Sequence, residues 1–272
     1  MFEATSQYIA EEGMFHGFIP RIMGTRFDIL LAGVSSALSE SCWALTVTEL
    51  QRLDKILNRF DATSEVSRLN GNAFKKPFAV SREFWDILND CKKYHQMTSG
   101  IFDVTLKDFS LVKFHEETKS VSFSISDLSL DFGGYAKGYA LEKIKGILKK
   151  QNIEHAFINF GNSSIMGIGK HPYGNGWKVN INNPFHPEKV LGEFTLKNAV
   201  LTTSGNTPDY TEHIIHPFSG KRNNEKKCIC VITNNACDGE VLSTSLIASH
   251  QDKQKIITKF EPAKIIEYKF VN

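Results

Sequence analysis

Between Val121 and Lys149 the chain changes its hydrophobic period, and the change passes through Asp131-Phe132-Gly133-Gly134-Tyr135-Ala136-Lys137-Gly138. Before the glycines, Val121, Phe123 and Ile125 alternate with serines, and Leu128, Leu130 and Phe132 resume the two-residue period. That pattern predicts a strand from Val121 to Leu130. After them, Ala136, Ala140, Ile144, Ile147 and Leu148 share one helical face while Glu142, Lys143, Lys145 and Lys149 fill the other, which predicts a helix from about Gly134. The N–H groups of a first helical turn attract anions, and glycine admits a phosphate to the backbone without a β-carbon in the way. With the positive charge of Lys137 alongside, the segment reads as a site for a phosphate-bearing ligand. It satisfies neither G-x-G-x-x-G nor the G-K-[ST] ending of a P-loop. The same residues also fit a tight turn with a solvated lysine.

At 272 residues and 41% hydrophobic content the chain can bury one large core or two modest ones, and one intimately packed unit is expected. A net charge of +2, with no long basic segment, argues against nucleic-acid binding. The five cysteines are odd in number and spread through predicted helices and strands, which points to reduced thiols. Cys228 and Cys230 alternate within a strand-like run and no C-x-x-C pair exists, so they do not read as zinc ligands. Residues 1–20 hold Glu3, Glu11 and Glu12 and no apolar core of a signal peptide, and no later segment is long enough to span a bilayer. A cytoplasmic protein is expected; a chain that had lost a leader would instead be periplasmic and membrane-anchored.

Along the chain, Arg21 to Leu31 reads as a strand and Ser41 to Phe60 as a long helix. Asp61 to Asn70 reads as a polar turn with a short helix, and Arg82 to Thr98 as a helix stopped by Ser99-Gly100. His155 to Asn159, Ser164 to Gly169, Trp177 to Asn182, Leu191 to Leu196 and Cys228 to Thr233 read as strands, followed by a helix from about Gly239 to Ser249. Without strict βαβα alternation, the class is α+β with mostly antiparallel sheet and packed helices. Residues 1–20 read as an N-terminal extension to a single domain over 21–272.

Four further segments are unusually polar: Met23-Gly24-Thr25, Thr203-Ser204-Gly205-Asn206, the run from His213 to Gly220, and Asp238-Gly239-Glu240-Val241-Leu242-Ser243-Thr244. Ser64 to Asn70 adds S-E-V-S-R-L-N, and Phe102 to Thr105 adds F-D-V-T. Each is weak alone, but their order from Met23 to about Ala248 resembles the ApbE family of FAD:protein FMN transferases. That family typically shows, in this order, M-G-T, S-E-[LVI]-S-R-L-N, F-D-[PV]-T, D-x-G-G-x-A-K-G, T-S-G, H-I-I-D-P-x-[TS]-G and D-A-L-[AS]-T. The resemblance implies an ApbE-like fold of two intimately associated subdomains.

It also implies an FAD site formed by Met23, Ile101, Phe102, Asp103, Asp131, Lys137, Ser204 and Ile215, with Lys137 and His213 as catalytic residues. Magnesium would be held by the Gly134 carbonyl, Thr244 and Glu240, with Asp238 as a possible substitute. Oxygen donors and phosphates suit a hard divalent cation, and Glu240 and Thr244 stand one helical turn apart. Asp238 and Glu240 also fit a solvated helix start, with Asp238 as N-cap and Glu240 in the first turn. The implied reaction is attack by a Thr or Ser hydroxyl of an acceptor flavoprotein on the FMN-side phosphorus of FAD, with AMP leaving and His213 taking the proton.

The chain departs from the family pattern at three places. His216 replaces the aspartate of H-I-I-D-P, Glu240 that of D-A-L-[AS]-T, and Gly161-Asn162-Ser163 stands for G-G-D. The longer glutamate shifts the metal or recruits Asp238, and the histidine removes an anion beside the expected base. Two alternatives follow: an FAD pyrophosphatase releasing FMN and AMP, or an FAD-binding protein without turnover. No copy of the acceptor motif D-x-[ST]-G-A-T occurs, so self-flavinylation is not expected.

Overall fold

The computed structural model describes residues 3–208, 211, 214–249 and 253–270. Its framework is an eight-stranded sheet in the order β1-β2-β3-β7-β8-β11-β12-β13. The strands are β1 (Thr5–Ile9), β2 (Met14–Ile22), β3 (Thr25–Ala32), β7 (Ala156–Phe160), β8 (Ser164–Ile168), β11 (Ala199–Gly205), β12 (Lys227–Thr233) and β13 (Lys264–Lys269). Every neighbouring pair is antiparallel. The class is α+β, as the sequence predicts. The residues set apart as an N-terminal extension carry β1 and most of β2, because Phe15, Gly17 and Ile19 alternate inward although glycine and proline interrupt the apolar pattern.

The strand expected over Arg21 to Leu31 is divided at Met23-Gly24. Ile22 pairs with Thr25, and the residues between them have φ of 49° and 83°. Two successive positive φ values are what a two-residue hairpin turn demands.

Long helices cover one face of the sheet. These are α1 (Ser36–Leu57), α4 (Ala136–Lys150) and α5 (Ala236–Ala248). Ser35 caps α1 by accepting from the N–H of Leu38, which starts that helix earlier than the sequence predicts. Leu50 and Leu53 of α1 and Ala140, Leu141, Ile144 and Leu148 of α4 pack on Phe27, Ile29, Ile158 and Phe160 of the sheet. On the other face lies a hairpin of β9 (Trp177–Asn183) and β10 (His186–Leu196), whose Val179, Ile181, Phe194 and Leu196 bury Ile165, Leu201, Cys228 and Cys230. All five cysteines are free and buried.

A smaller layer completes the fold. A three-stranded sheet orders β4 (Phe78–Ala79), β6 (Ser120–Phe123) and β5 (Val112–His115), beside α2 (Glu65–Asn72) and α3 (Arg82–Met97). One continuous core joins it to the main sheet, running from Phe84, Ile87 and Leu88 through Phe132 to Val241, Leu242 and Val231. The last helix, α6, spans Lys253–Ile257. Among the described residues no helix is long and apolar enough to cross a membrane.

Glu83 ties the two layers together. Its carboxylate accepts from Arg52 of α1 and from Tyr139 and Lys143 of α4, at 2.9, 2.8 and 2.9 Å. Burial works against the charged carboxyl, but these donors outweigh it and hold it at about 2. An unfolded glutamate titrates near ~4.3. The stabilisation is therefore complete above that pH and is lost as pH falls through about 2. Glu83→Gln is expected to cost roughly 2 kcal/mol at pH 7, on the order of 5 °C in Tm for a chain of this size. Thermal scans should show that deficit shrinking as the pH is lowered from 5 toward 2; a deficit constant with pH would contradict the account.

Candidate functional site

The segment expected as a strand up to Leu130 leaves the sheet after Phe123. Leu128, Leu130 and Phe132 stay buried, but the backbone is satisfied differently. Leu130 donates its N–H to Asn70 Oδ1 at 2.8 Å, and Asn70 Nδ2 donates to the Leu130 carbonyl at 3.1 Å. The asparagine that ends S-E-V-S-R-L-N thus replaces a strand partner. Asp131 donates its N–H to the Val104 carbonyl at 2.7 Å, which fastens the glycine turn to the segment after α3.

The turn then enters α4 at Ala136, two residues later than predicted. Tyr135 occupies the N-cap position and makes no side-chain cap. The Ala136 N–H is donated to the Phe132 carbonyl at 2.8 Å, and no N-cap side chain takes the N–H groups of Lys137 and Gly138, which suits an anion. The Asp131 carboxylate accepts the Gly133 N–H at 2.9 Å and pairs with Arg59 at 3.1 Å.

Opposite the turn lies α5. A β-carbon built on Gly134 would sit 3.3 Å from both Oγ1 and Cγ2 of Thr244 and 3.6 Å from the Phe102 ring, so glycine is what lets backbone and hydroxyl approach. Thr244 lies 3.3 Å from the Ser204 hydroxyl, which also contacts Ser243 at 2.9 Å. One turn earlier on α5, Glu240 is 4% exposed. Its Oε2 accepts from Lys137 Nζ at 2.9 Å and its Oε1 from the Ser164 hydroxyl. Gly134, Lys137, Ser204, Glu240 and Thr244, singled out in three separate segments, therefore meet at one place.

The same end of the molecule collects other expected residues. Met23 sits on the β2–β3 turn, with its N–H donated to Asp54 Oδ1 at 3.2 Å. A β-carbon on Gly161, in the β7–β8 turn, would meet Thr25 Oγ1 at 2.5 Å, so the two turns touch. Phe102 donates its N–H to Thr98 Oγ1 at 2.9 Å, and its carbonyl lies 3.0 Å from His95 Nδ1. Gly100, with φ of 85°, supports the Phe218 ring, where a β-carbon would be 2.7 Å away. That contact brings the loop holding Ile215 and His216 against Gly100, the residue before Ile101. Ile215 bridges to Arg222 across the loop.

Two carboxylates are used differently from expectation. Asp238 points to the other side of α5 and accepts from the Tyr94 hydroxyl of α3 at 2.7 Å. Residues two apart on a helix face nearly opposite ways, so Asp238 is turned away from the side of α5 that carries Glu240. It is not the N-cap either: Asn235 accepts from the N–H groups of Cys237 and Asp238. Asp103 is buried, with one oxygen accepting from the N–H and hydroxyl of Thr105 at 2.7 and 2.6 Å and the other from the Phe109 N–H at 2.9 Å. Its side chain holds a loop, which leaves only backbone and neighbours for a ligand. His213 lies outside the described residues.

Among the described residues no three His, Cys, Asp or Glu side chains gather around one point. A cation here would rest on one carboxylate with hydroxyl and carbonyl oxygens. That donor set, with the open approach at Gly134, suits a hard ion such as magnesium. A cavity of about 360 Å³ between Lys145, Met166 and Val200 lies at the far end of α4 and shares no residue with this cluster.

Sequence reasoning missed Ser164, Arg59 and the backbone role of Asn70. The signal for Ser164 was present, since it is a lone hydroxyl on a face of β8 shared with Met166 and Ile168.

These features define a class: an α+β protein in which a helix N-terminus, a lysine–carboxylate pair and several hydroxyls converge at one end of an antiparallel sheet. A family model described as the ApbE family matches residues 23–266, and the chain belongs to that family. It is 25% identical over 271 residues to the FAD:protein FMN transferase of Klebsiella pneumoniae (strain 342), covering 85% of this chain and 82% of that one. It is 26% identical over 234 residues to the protein of the same name from Chlamydia muridarum, covering 71% of each. Among solved structures, flavin transferase ApbE from Vibrio cholerae superposes with a TM-score of 0.76 at 18% identity, over 99% of this chain and 97% of that one. The ApbE protein of Thermotoga maritima gives 0.77 at 19% identity, over 95% and 90%. At such identities the structures speak for the fold.

Proposed function

We propose that this chain is an FAD:protein FMN transferase, which moves FMN from FAD to an acceptor flavoprotein. The observation that carries the reading is the junction of the glycine turn with α5, where Gly134 faces Thr244 and Lys137 holds Glu240. It occurs in a chain whose relatives, matched over most of its length, bear that name.

In this reading the hydroxyl of a Thr or Ser on the acceptor forms a bond to the FMN-side phosphorus. The bridging P–O bond to AMP breaks, and the hydroxyl proton passes to His213. The uncapped N-terminus of α4 and Lys137 bind the pyrophosphate, while Met23, the 101–103 backbone and the Ile215 loop enclose the flavin. Magnesium, held by Thr244, Glu240 and the Gly134 carbonyl, would neutralise charge on the phosphate oxygens. Ser204 supports the Thr244 hydroxyl.

Incubation with FAD, magnesium and a flavoprotein domain carrying a Thr or Ser acceptor should release AMP and yield an acceptor that fluoresces in a denaturing gel. AMP without a labelled acceptor would indicate hydrolysis to FMN and AMP, and retained FAD with neither product would remove both enzymatic readings. Thr244→Ala is expected to lower transfer at least tenfold, the scale for losing a ligand or its support at a metal site. Full activity of that variant would remove the metal assignment.

A further inference from the structure

Ser164 is a polar residue in an apolar place. It lies fully buried on β8, on the face where Met166 and Ile168 pack into the core beneath the helices. A hydroxyl taken out of water is costly unless it is hydrogen-bonded. Among the described residues its side chain has a partner in Glu240 Oε1 and, beyond that, a 3.5 Å contact with Ser163 Oγ.

The approach of α5 makes this contact possible. Gly239, the residue before Glu240, lies so close to the sheet that a β-carbon there would be 2.8 Å from Thr202 Oγ1 and 3.0 Å from Thr233 Oγ1. Thr202 stands opposite Ser164 in the β8–β11 register. The helix therefore comes down on the sheet at the place where a side chain as short as serine can reach Glu240. The glutamate is held from both sides, by Ser164 on one oxygen and Lys137 on the other. A glutamate has three rotatable side-chain bonds, and these two contacts select one arrangement.

We propose that Ser164 is a positioning residue that, by holding one oxygen of the Glu240 carboxylate while Lys137 holds the other, fixes the orientation of that carboxylate and so sets the affinity of the site for a divalent cation. The inference rests on the transferase reading, in which Glu240 is a metal ligand. Groups that orient a ligating carboxylate typically contribute 10- to 100-fold in metal affinity.

The test compares wild type, Ser164→Ala, Glu240→Asp and the double variant, with FAD present. Mn²⁺ binding is followed by the loss of the free-ion electron paramagnetic resonance signal, and the Mg²⁺ requirement by AMP release. Ser164→Ala should weaken Mn²⁺ binding about 10- to 100-fold and raise the Mg²⁺ requirement by the same factor, with a much smaller fall in kcat at saturating Mg²⁺. In the Glu240→Asp background, whose carboxylate is one methylene too short to reach Ser164, the same substitution should change binding less than about twofold. Ser164→Cys, which keeps the volume and weakens the donor, carries the same expectation should the alanine variant fail to fold. Mn²⁺ binding unchanged in Ser164→Ala, or an equal loss in both backgrounds, overturns this proposal alone. Wild-type protein that binds no Mn²⁺ overturns the metal assignment together with it.

Discussion

Replacing Glu240 with glutamine is expected to reduce FMN transfer at least a hundredfold and to lower the unfolding temperature together with it. Glutamine keeps the shape but removes the charge that faces Lys137, whose side chain is 18% exposed against 5% for Glu240. Breaking a buried ion pair by removing one partner costs about 3–5 kcal/mol, and the remaining exposure of Lys137 places this case at the low end, about 3 kcal/mol. For a chain of this size that is on the order of 10 °C in Tm. The two losses have separate causes. The fall in Tm comes from the unpaired lysine, whereas the fall in rate comes from the missing ligand charge. Magnesium raised to tens of millimolar should therefore recover none of the Tm measured without ligand. Transfer within threefold of wild type would show that Glu240 is structural only.

The second large effect concerns a residue that touches no ligand. Gly138, in the first turn of α4, packs against the start of α5, and a β-carbon there would lie 2.6 Å from the Ala236 carbonyl oxygen, 2.8 Å from its carbon and 3.0 Å from Cys237 Cα. All three are backbone atoms, so no side-chain rotation relieves the contact. Gly138→Ala should forfeit the ~1 kcal/mol that alanine gains over glycine in a helix and destabilise the protein by about 2–3 kcal/mol. The same displacement separates Lys137 on α4 from Glu240 on α5, so transfer should fall with stability. Gly146 on the same helix is the control, because a β-carbon there meets nothing within 4 Å. Gly146→Ala should raise stability by up to ~1 kcal/mol and leave transfer unchanged. Chemical denaturation of both variants checks the opposite signs; two losses of similar size would contradict the packing argument.

The elements legible in the sequence were those with a strong period and clear stops. Arg82–Met97 shows an apolar face and ends before Ser99, which has φ of 54°. Trp177–Asn183 alternates cleanly between buried and exposed. Among the strands that escaped, β1, β11 and β13 lack such marks: β1 and β13 lie at the sheet edges with little burial, and β11 is rich in threonine and serine. The run from Val121 to Leu130 had the right period but the wrong partner. Periodicity records which side chains are buried, and it cannot show that Asn70 rather than a strand satisfies the backbone at Leu130.

For the site, order along the chain was informative where each residue's chemistry is used in place. Gly134, Lys137, Ser204, Glu240 and Thr244 lie together in the structure. Asp238 and Asp103 did not follow, for reasons that motif spacing does not encode. Asp238 faces Tyr94 because of where α5 rotates it, and Asp103 is consumed by the turn through Thr105 and Phe109. Glu240 carried the principal expectation about altered metal binding, and the structure pairs its extra length with Ser164 and Lys137 instead of with Asp238.

The most direct test of the account is intact-mass measurement of an acceptor flavoprotein domain after incubation with this protein, FAD and magnesium, with AMP quantified in the same reaction. The account predicts that the acceptor gains the mass of one FMN less one water, with one AMP released for each acceptor modified, and that Glu240→Gln abolishes both. An acceptor of unchanged mass alongside continuing AMP release would contradict it, since FAD would then be cleaved without transfer.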